Sequence, residues 1–206
     1  TTGDSNYSAG AQTATHEVAV AATTTAIAPI DPASVVYGTA IPVSVTVTGA
    51  TSPGSPTGTV TVTAGGQSCT ATLTAATSPT STGSCTLTTV PSGNSQTVTA
   101  TYNGSLVYGG SIATDTVTVT AATTATALSS SVNPAPVGTA VTFIATVTSP
   151  SAAGHPTTGS VTFTLDGTAQ PPVALSGNTA TFSPTSLTVG DHTLTAAYGA
   201  TTNYQA

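Results

Sequence analysis

Hydrophobic and polar residues alternate with a period of two in two similar stretches of this chain. The stretches span residues 37–48 and 137–148, and each contains the sequence Gly-Thr-Ala near its start. This alternation is typical of a half-buried β-strand. The copies lie about one hundred positions apart, the size of one β-sandwich, so the pattern predicts two sandwiches in tandem. The positions that face the predicted cores are Val43, Val45, Val47, Phe143, Ala145 and Val147.

Shorter alternating segments and turn signals fill the rest of each repeat. Residues 23–122 contain about seven predicted strands at the spacing of a sandwich, and residues 123–206 repeat their order. Asp166-Gly167 predicts a tight hairpin turn in the second repeat. Residues 1–22 are too short for a domain, but they resemble the closing strand of the first repeat. The sequence therefore predicts an all-β chain with an N-terminal strand segment and two β-sandwiches, the second without a closing strand.

The charge composition excludes several partners. The chain has no Lys or Arg, and its six acidic residues give a formal net charge of −6. Nucleic acids and anionic lipid surfaces are bound through basic side chains, so neither is an expected partner. Since only 3% of the residues are charged, solubility must depend on hydroxyl groups. Thr supplies about a quarter of the chain and suits an exposed strand face.

The sequence also bears on localisation. It has no apolar run of the roughly 18 residues that a membrane helix needs, so membrane insertion is not expected. No basic-then-apolar signal peptide opens the sequence. An even number of cysteines in a hydroxyl-rich chain without Lys favours an exported, oxidised protein. We therefore expect an extracellular or cell-surface location.

The two repeats divide their core chemistry differently. Both cysteines lie in the first repeat and all three Phe lie in the second. A disulfide that closes a loop of about 15 residues contributes about 3 kcal/mol, so a Cys69–Cys85 bond would offset an aliphatic core. Free thiols and a metal site are the alternatives, although the three His are scattered without ligand spacing, and we expect no metal or cofactor. When the two repeats are aligned by pattern, Val43 is equivalent to Phe143, Val62 to Phe163, and Leu87 to Phe182.

Several segments together resemble a known family. They are Pro-Thr-Gly-Thr-Val-Thr-Val at 56–62 with its counterpart at 156–163, Gly-Asp-His-Thr-Leu-Thr-Ala-Ala-Tyr at 190–198, and Gly-Asp-Ser-Asn-Tyr at 3–7. This combination resembles the third group of bacterial immunoglobulin-like repeats. The resemblance implies immunoglobulin-like sandwiches, which in large exported surface or secreted proteins act as stalks, spacers or adhesive modules. It implies no catalytic residues.

Individual residues with site chemistry each have a structural interpretation beside the functional one. Asp191-His192 is not accompanied by a Gly-x-Ser-x-Gly nucleophile elbow in the sequence, so a turn before a strand is the favoured interpretation. We therefore expect no catalytic residues. Asp4-Ser5-Asn6 has hard oxygen ligands but too few for a calcium loop. Asn6 and Asn103 begin N-glycosylation sequons at equivalent loop positions. Tyr102 and Tyr198 end equivalent strands, where a hydroxyl that caps a sandwich corner is favoured over a binding role.

The missing closing strand suggests how copies assemble. An unpaired strand is unstable alone, and a sandwich without one strand exposes a sheet edge and an open core. The leading hypothesis is that Val18 and Val20 of one subunit enter the second sandwich of the next, which builds a head-to-tail homopolymer. Two alternatives are that the sequence is a window from a longer array of flanking repeats, and that the segment folds back into its own chain.

We therefore expect a structural protein that forms or extends a surface filament, and not an enzyme. The alternative function is a spacer or adhesin whose loop tips, such as Ser149–Thr157, bind a glycan or a host-surface ligand. The low aromatic content, 4%, offers few platforms for stacking on sugars.

Overall fold

The computed structural model describes residues 13–50 and 54–206, and all the regular structure in them is β. Within these residues no helix is long and apolar enough to cross a membrane. The chain forms two β-sandwiches, as the period of two predicts. Threonine-rich strands suit this fold because a β-branched side chain packs well on a pleated sheet while its hydroxyl faces water.

The first repeat has two complete sheets. One sheet has the order β1-β3-β7-β6 and the other β2-β9-β8-β4-β5. All neighbouring strands are antiparallel except the edge strand β2, which pairs parallel with the closing strand β9. The strands are β1 Thr23–Ile27, β2 Ser34–Val36, β3 Ile41–Gly49, β4 Thr59–Ala64, β5 Gln67–Thr72, β6 Thr74–Ala75, β7 Thr80–Leu87, β8 Gly93–Tyr102 and β9 Ser111–Thr120.

Alternation along the strands builds the first core. On β3 every second residue is buried, and the threonines between them point outward. On the opposite sheet, β4, β8 and β9 bury Val60, Val98 and Val117 in the same way. The two inward faces meet in one cluster of eighteen buried residues, which β9 completes because it contributes Val117 and Val119.

The second repeat keeps the order of the central strands of the first but has fewer strands and a smaller core. One sheet has the order β10-β11-β15, and in the other β12 pairs with β13, β14 and β16. Its core cluster contains eight buried residues against eighteen in the first repeat. The strands are β10 Ala125–Ser130, β11 Phe143–Thr148, β12 Ser160–Leu165, β13 Thr168–Ala169, β14 Val173–Ala174, β15 Thr179–Phe182 and β16 Leu194–Tyr198.

The two repeats join their sheets by different means. In the first, a disulfide connects Cys69 on β5 to Cys85 on β7, with the Cα atoms 5.8 Å apart. In the second, the Phe182 ring stacks on Phe163 at 5.4 Å and lies 6.5 Å from Phe143. Aromatic contacts across the second sandwich therefore replace the covalent link of the first.

The strand register corrects one of the predicted correspondences. Val43 pairs with Cys85, and Phe143 pairs with Phe182. Because Val43 and Phe143 are equivalent, Phe182 stands where Cys85 stands, and the predicted match to Leu87 is wrong. The slip is two residues, which leaves the side chain on the same face of the sheet, so alternation alone cannot detect it.

Four tyrosines fix the loop that connects the sheets in each repeat. The hydroxyls of Tyr102 and Tyr198 donate to the carbonyls of Thr57 and Thr158 at 2.9 and 3.0 Å. Those of Tyr108 and Tyr204 donate to the equivalent carbonyls of Gly54 and Gly154 at 2.8 and 2.9 Å. These bonds identify the tyrosines as structural groups whose hydroxyls hold the backbone of the loop.

Candidate functional site

The second sandwich has an unpaired edge at β16. In the first repeat β8 pairs with β4 on one side and with β9 on the other. Its counterpart β16 pairs with β12 on one side, and among the described residues no strand pairs with its other side. No strand lies at the position of β2 either, which is consistent with β2 pairing only with β9. An unpaired edge of this kind presents backbone N–H and C=O groups to an incoming strand.

The core of the second repeat is also more open on this side. Val98 and Ala100 on β8 are fully buried, whereas their counterparts Leu194 and Ala196 on β16 are half-buried. Phe143 is likewise half-buried where Val43 is fully buried. Apolar surface that remains in contact with water costs free energy in proportion to its area. The second repeat would therefore gain stability from a strand that covers these side chains.

A groove of about 370 Å³ lies at this open side. Its two walls are the segment from Ser130 to Phe143 and the segment from Leu187 to His192. In the first repeat the corresponding walls are β2 with its flanking residues and the start of β8, which hold the end of β9 between them through pairs such as Val35–Val119 and Gly93–Val119. The groove therefore lies where the end of a closing strand would lie.

One wall of the groove is fastened by His192. Its Nδ1 lies 2.6 Å from Asp166 Oδ2 and its Nε2 lies 3.0 Å from the Thr188 carbonyl oxygen. The hydrogen bond with Asp166, followed by that with Thr188, raises the pKa of His192 above its ordinary value. The bond from His192 and the backbone N–H of Thr193 lower the pKa of Asp166. Both ring nitrogens face acceptors, which favours the imidazolium form.

This arrangement differs from the Asp191-His192 pair considered above. His192 pairs with Asp166 at the β12–β13 hairpin turn, and the sequence gives no local sign of that pairing because the residues are 26 positions apart. Asp166 and Gly167 both have positive φ, 48° and 81°, and form the predicted two-residue turn between Leu165 and Thr168. When both nitrogens are protonated, His192 has no free lone pair for the role of a general base toward the nearby Thr188 hydroxyl.

The segment before the first repeat has the features of a closing strand. Val18 and Val20 are 84% and 54% exposed, and residues 13–20 have no regular structure in the chain by itself. Ala21 then binds the first repeat through its N–H to Val107 O and its carbonyl to Gly109 N, both at 2.8 Å. Ala122 makes the same two bonds to Asn203 and Gln205 of the second repeat.

The other predicted site residues are distributed as follows. Asn103 is exposed in its loop, which leaves its sequon accessible. Asn6 and the Asp4-Ser5-Asn6 segment lie outside the described residues. Within the described residues no group of three or more His, Cys, Asp or Glu is placed to hold a metal ion.

A direct joint connects the two repeats, and we call it the inner joint. The Ser151 hydroxyl donates to the Tyr37 carbonyl at 2.6 Å, and the Tyr37 ring meets Tyr204 edge-on at 5.5 Å. The Ser92 N–H donates to Asn203 Oδ1 at 2.9 Å and its hydroxyl to the Thr202 carbonyl. The loop Ser149–Thr157, considered above as an adhesive tip, is therefore partly occupied by the first repeat.

The geometry defines a tandem β-sandwich protein with an unpaired sheet edge at β16, and the comparisons assign part of it to a family. Residues 128–206 match the model of the bacterial Ig-like domain (group 3). The resemblance inferred from the sequence is thus confirmed for the second repeat. No curated protein matches the sequence.

Two solved structures are similar to this chain at low scores. One is a 1.5-MDa bacterial ice-binding adhesin described for its retention at the host cell surface, 15% identical with a TM-score of 0.38. That match covers 82% of this chain and 55% of the other. The other is a DUF4785 family protein from Legionella pneumophila, 15% identical with a TM-score of 0.32, covering 75% and 45%. The chain spans about half the length of both, and scores this low do not establish a common overall fold.

Proposed function

We propose that this chain is a mechanical element of an exported bacterial surface fibre, in which Ig-like repeats are joined end to end. Three observations support this proposal. The second repeat matches a bacterial Ig-like family, the first contains a disulfide of the kind that persists in oxidising compartments, and the absence of Lys and Arg removes nucleic acid and anionic lipid as partners.

The proposal includes the way in which the repeats of different copies connect. Residues 13–20 of one copy act as the closing strand of the second repeat of another copy. The observation that carries this step is the unpaired edge of β16, whose counterpart β8 is covered by β9. Strand addition of this type gains backbone hydrogen bonds along the edge and specificity from the side chains that enter the core.

The spacing in the chain agrees with this role. Ala21 and Ala122 bind the first and second repeats through the same backbone hydrogen bonds. Residues that lie the same number of positions before Ala21 and before Ala122 are therefore equivalent, which aligns residues 13–20 with the end of β9. Three residues before Ala122 is Val119, and three before Ala21 is Val18. Val119 is buried in the first core. Residues 16, 18 and 20 are therefore equivalent to Val117, Val119 and Ala121. Val18 would lie between the two walls of the groove, as Val119 lies between Val35 and Gly93 in the first repeat.

Deletion of residues 1–20 tests the donation step, since it removes the donor and keeps the Ala21 bonds. We expect the full chain to form fibres in electron micrographs and the deletion variant to form none. Excess synthetic peptide of residues 9–22 should shorten the fibres of the full chain because it occupies the groove. The matched control peptide carries Val18→Asp and Val20→Asp, which would place charges in the core.

Hydrogen exchange gives an independent measure of groove occupancy. Amides on the open edge of β16 should become protected when the peptide binds, toward the level of β8. A deletion variant that forms fibres like those of the full chain would rule out donation.

The second candidate function is a spacer whose closing strand is supplied by an adjoining repeat of the same polypeptide. The continuous path from β9 to Ala122 favours it, because that path is how one repeat of this chain leads into the next. Peptide-dependent protection of β16 in a full chain that remains monomeric would support the spacer and exclude the fibre of separate copies.

A further inference from the structure

The inner joint provides a template for the contact between copies. It consists of one end of the first repeat, with Tyr37 and Ser92, and one end of the second, with Thr202 and Asn203. Each repeat also has an outer end, on the side away from the inner joint, where the described residues make no contact with the other repeat. The positions equivalent to the joint residues can therefore be compared directly at those outer ends.

Hydrogen bonds establish which positions are equivalent. The turn that holds Thr202 and Asn203 is closed by Thr201 N–H to Tyr204 O. The same bond in the first repeat, Ser105 N–H to Tyr108 O, encloses Leu106 and Val107. At the other end, Gln96 of the first repeat binds the carbonyl of Pro91, just before Ser92. His192 binds the carbonyl of Thr188, just before Val189. Because Val189-Gly190 then matches Ser92-Gly93 in the sequence, we take Val189 as the counterpart of Ser92.

Four positions that form the inner joint have apolar side chains at the outer ends. Leu106 and Val107 replace Thr202 and Asn203, and Val189 replaces Ser92. Val137 replaces Tyr37, because each of these residues directly precedes the equivalent glycine, Gly138 or Gly38. Leu106 and Val189 are 98% and 83% exposed. Ten large apolar side chains are exposed among the described residues, and six of them are Val18, Val20, Leu106, Val107, Val137 and Val189.

We infer that Leu106 and Val107 of one copy pack against Val137 and Val189 of a second copy, in the arrangement of the inner joint. This contact, the outer joint, rests on the proposed strand donation. Ala21 is bound to the first repeat in the same way as Ala122 is bound to the second. A donated strand that ends at Ala21 therefore brings the repeat that receives it, the host repeat, next to Leu106 and Val107. The host end that arrives there is the one with Val137 and Val189.

The polarity of the two joints makes assembly selective. Apolar residues meet apolar residues at the outer joint, and hydrogen-bonding residues meet each other at the inner joint. A mixed contact of Ser92 with Val107 would bury the Ser92 N–H without the side-chain acceptor that Asn203 supplies, which is costly. The partner is therefore a second copy of this chain, added in one orientation.

Exchange of residues between the joints tests the inference. One variant carries Leu106→Thr and Val107→Asn, the other carries Val189→Ser, and a third carries all three changes. We expect each of the first two to weaken fibre assembly about tenfold, as loss of a small apolar contact does, measured as the critical concentration in sedimentation. The third variant should recover most of the loss, because it rebuilds the polar pairing of the inner joint.

Folding and groove occupancy are measured on the same samples. Circular dichroism should be unchanged, since Leu106 and Val189 are exposed in the single chain. The 9–22 peptide should protect β16 in every variant. Variants that assemble like the unmodified chain, or a triple variant no better than the single-sided ones, would overturn the outer joint while leaving strand donation intact. Failure of the peptide to protect β16 in the unmodified chain would refute the donation itself.

Discussion

His192 and Gln96 hold the same loop in the two repeats with different chemistry. The Gln96 amide donates to the Pro91 carbonyl at 3.0 Å, and His192 Nε2 makes the equivalent contact to Thr188. Gln96 does this at any pH, whereas His192 donates from both ring nitrogens only when it is protonated. Because the Thr188 loop forms one wall of the groove, the protonation of one residue affects the candidate strand site.

Stability of this wall should therefore depend on pH. The pKa of His192 is raised in the folded chain, so its contribution is fully present below the unfolded value of about 6.5 and is lost as the pH rises through the folded value. The pKa of Asp166 is lowered, so its contribution is lost as the pH falls through that lowered value. We expect the protection factors of amides in residues 186–193, which are corrected for the intrinsic pH dependence of exchange, to be highest between these two limits and to fall as the pH rises through the raised pKa of His192.

The variant His192→Gln provides the comparison, since it introduces the residue of the first repeat. Its protection factors in residues 186–193 should no longer fall over this pH range. His155→Gln, a histidine change elsewhere in the same repeat, should keep the pH dependence because His192 is intact. Identical pH profiles for the chain and the His192→Gln variant would contradict this account.

At the level of elements, the two sheets are joined by a disulfide in the first sandwich and by stacked Phe rings in the second. We expect the double variant Cys69→Ser and Cys85→Ser to lose about 3 kcal/mol of stability in the first repeat, through the entropy of its unfolded chain. Phe182→Ala should cost the second repeat about 2 to 3 kcal/mol, through a cavity beside Phe163. Urea denaturation read by hydrogen exchange of peptides from each repeat separates the two effects.

Each repeat serves as the control for the other. The cysteine variant should leave exchange in the second repeat unchanged, and Phe182→Ala should leave the first repeat unchanged. An equal loss in both repeats from either change would show that the sandwiches unfold as one unit, against the separate cores described here.

The sequence predicts the sandwiches well because alternation and turn chemistry are local properties. Val43, Val45 and Val47 are buried as their spacing requires, and Asp166-Gly167 forms the predicted turn. The match of Leu87 to Phe182 failed because strand register is set between strands. The His192–Asp166 pair was missed for the same reason, since two adjacent strands bring it together. Loop contacts such as Ser151 to Tyr37 depend on the fold of both repeats.

At the level of the whole molecule, the link between the repeats has little freedom. Thr120, the last residue of β9, accepts a bond from Tyr37 N–H of the first repeat, and Ala122 is already bound to the second. Only Ala121 lies between them. Gly38 contributes to this closeness, because a Cβ at Gly38 would lie 2.3 Å from Ser151 Oγ and 2.6 Å from the Ala153 nitrogen. The inner joint is therefore expected to hold the repeats as a short stiff rod, which suits a mechanical fibre.

Gly38→Ala should loosen this rod, and Gly138→Ala is its matched control. Both glycines have positive φ, 91° and 79°, so both substitutions carry similar backbone strain. A Cβ at Gly138 meets open space, whereas one at Gly38 strikes the backbone of the second repeat. Small-angle X-ray scattering of the monomeric chain should show a broader distribution of interatomic distances for Gly38→Ala alone. Overpacking of this kind costs about 1 to 3 kcal/mol, enough to break a joint held by a few hydrogen bonds. Superimposable scattering from both variants and the unmodified chain would mean that the Gly38 contact does not set the angle between the repeats.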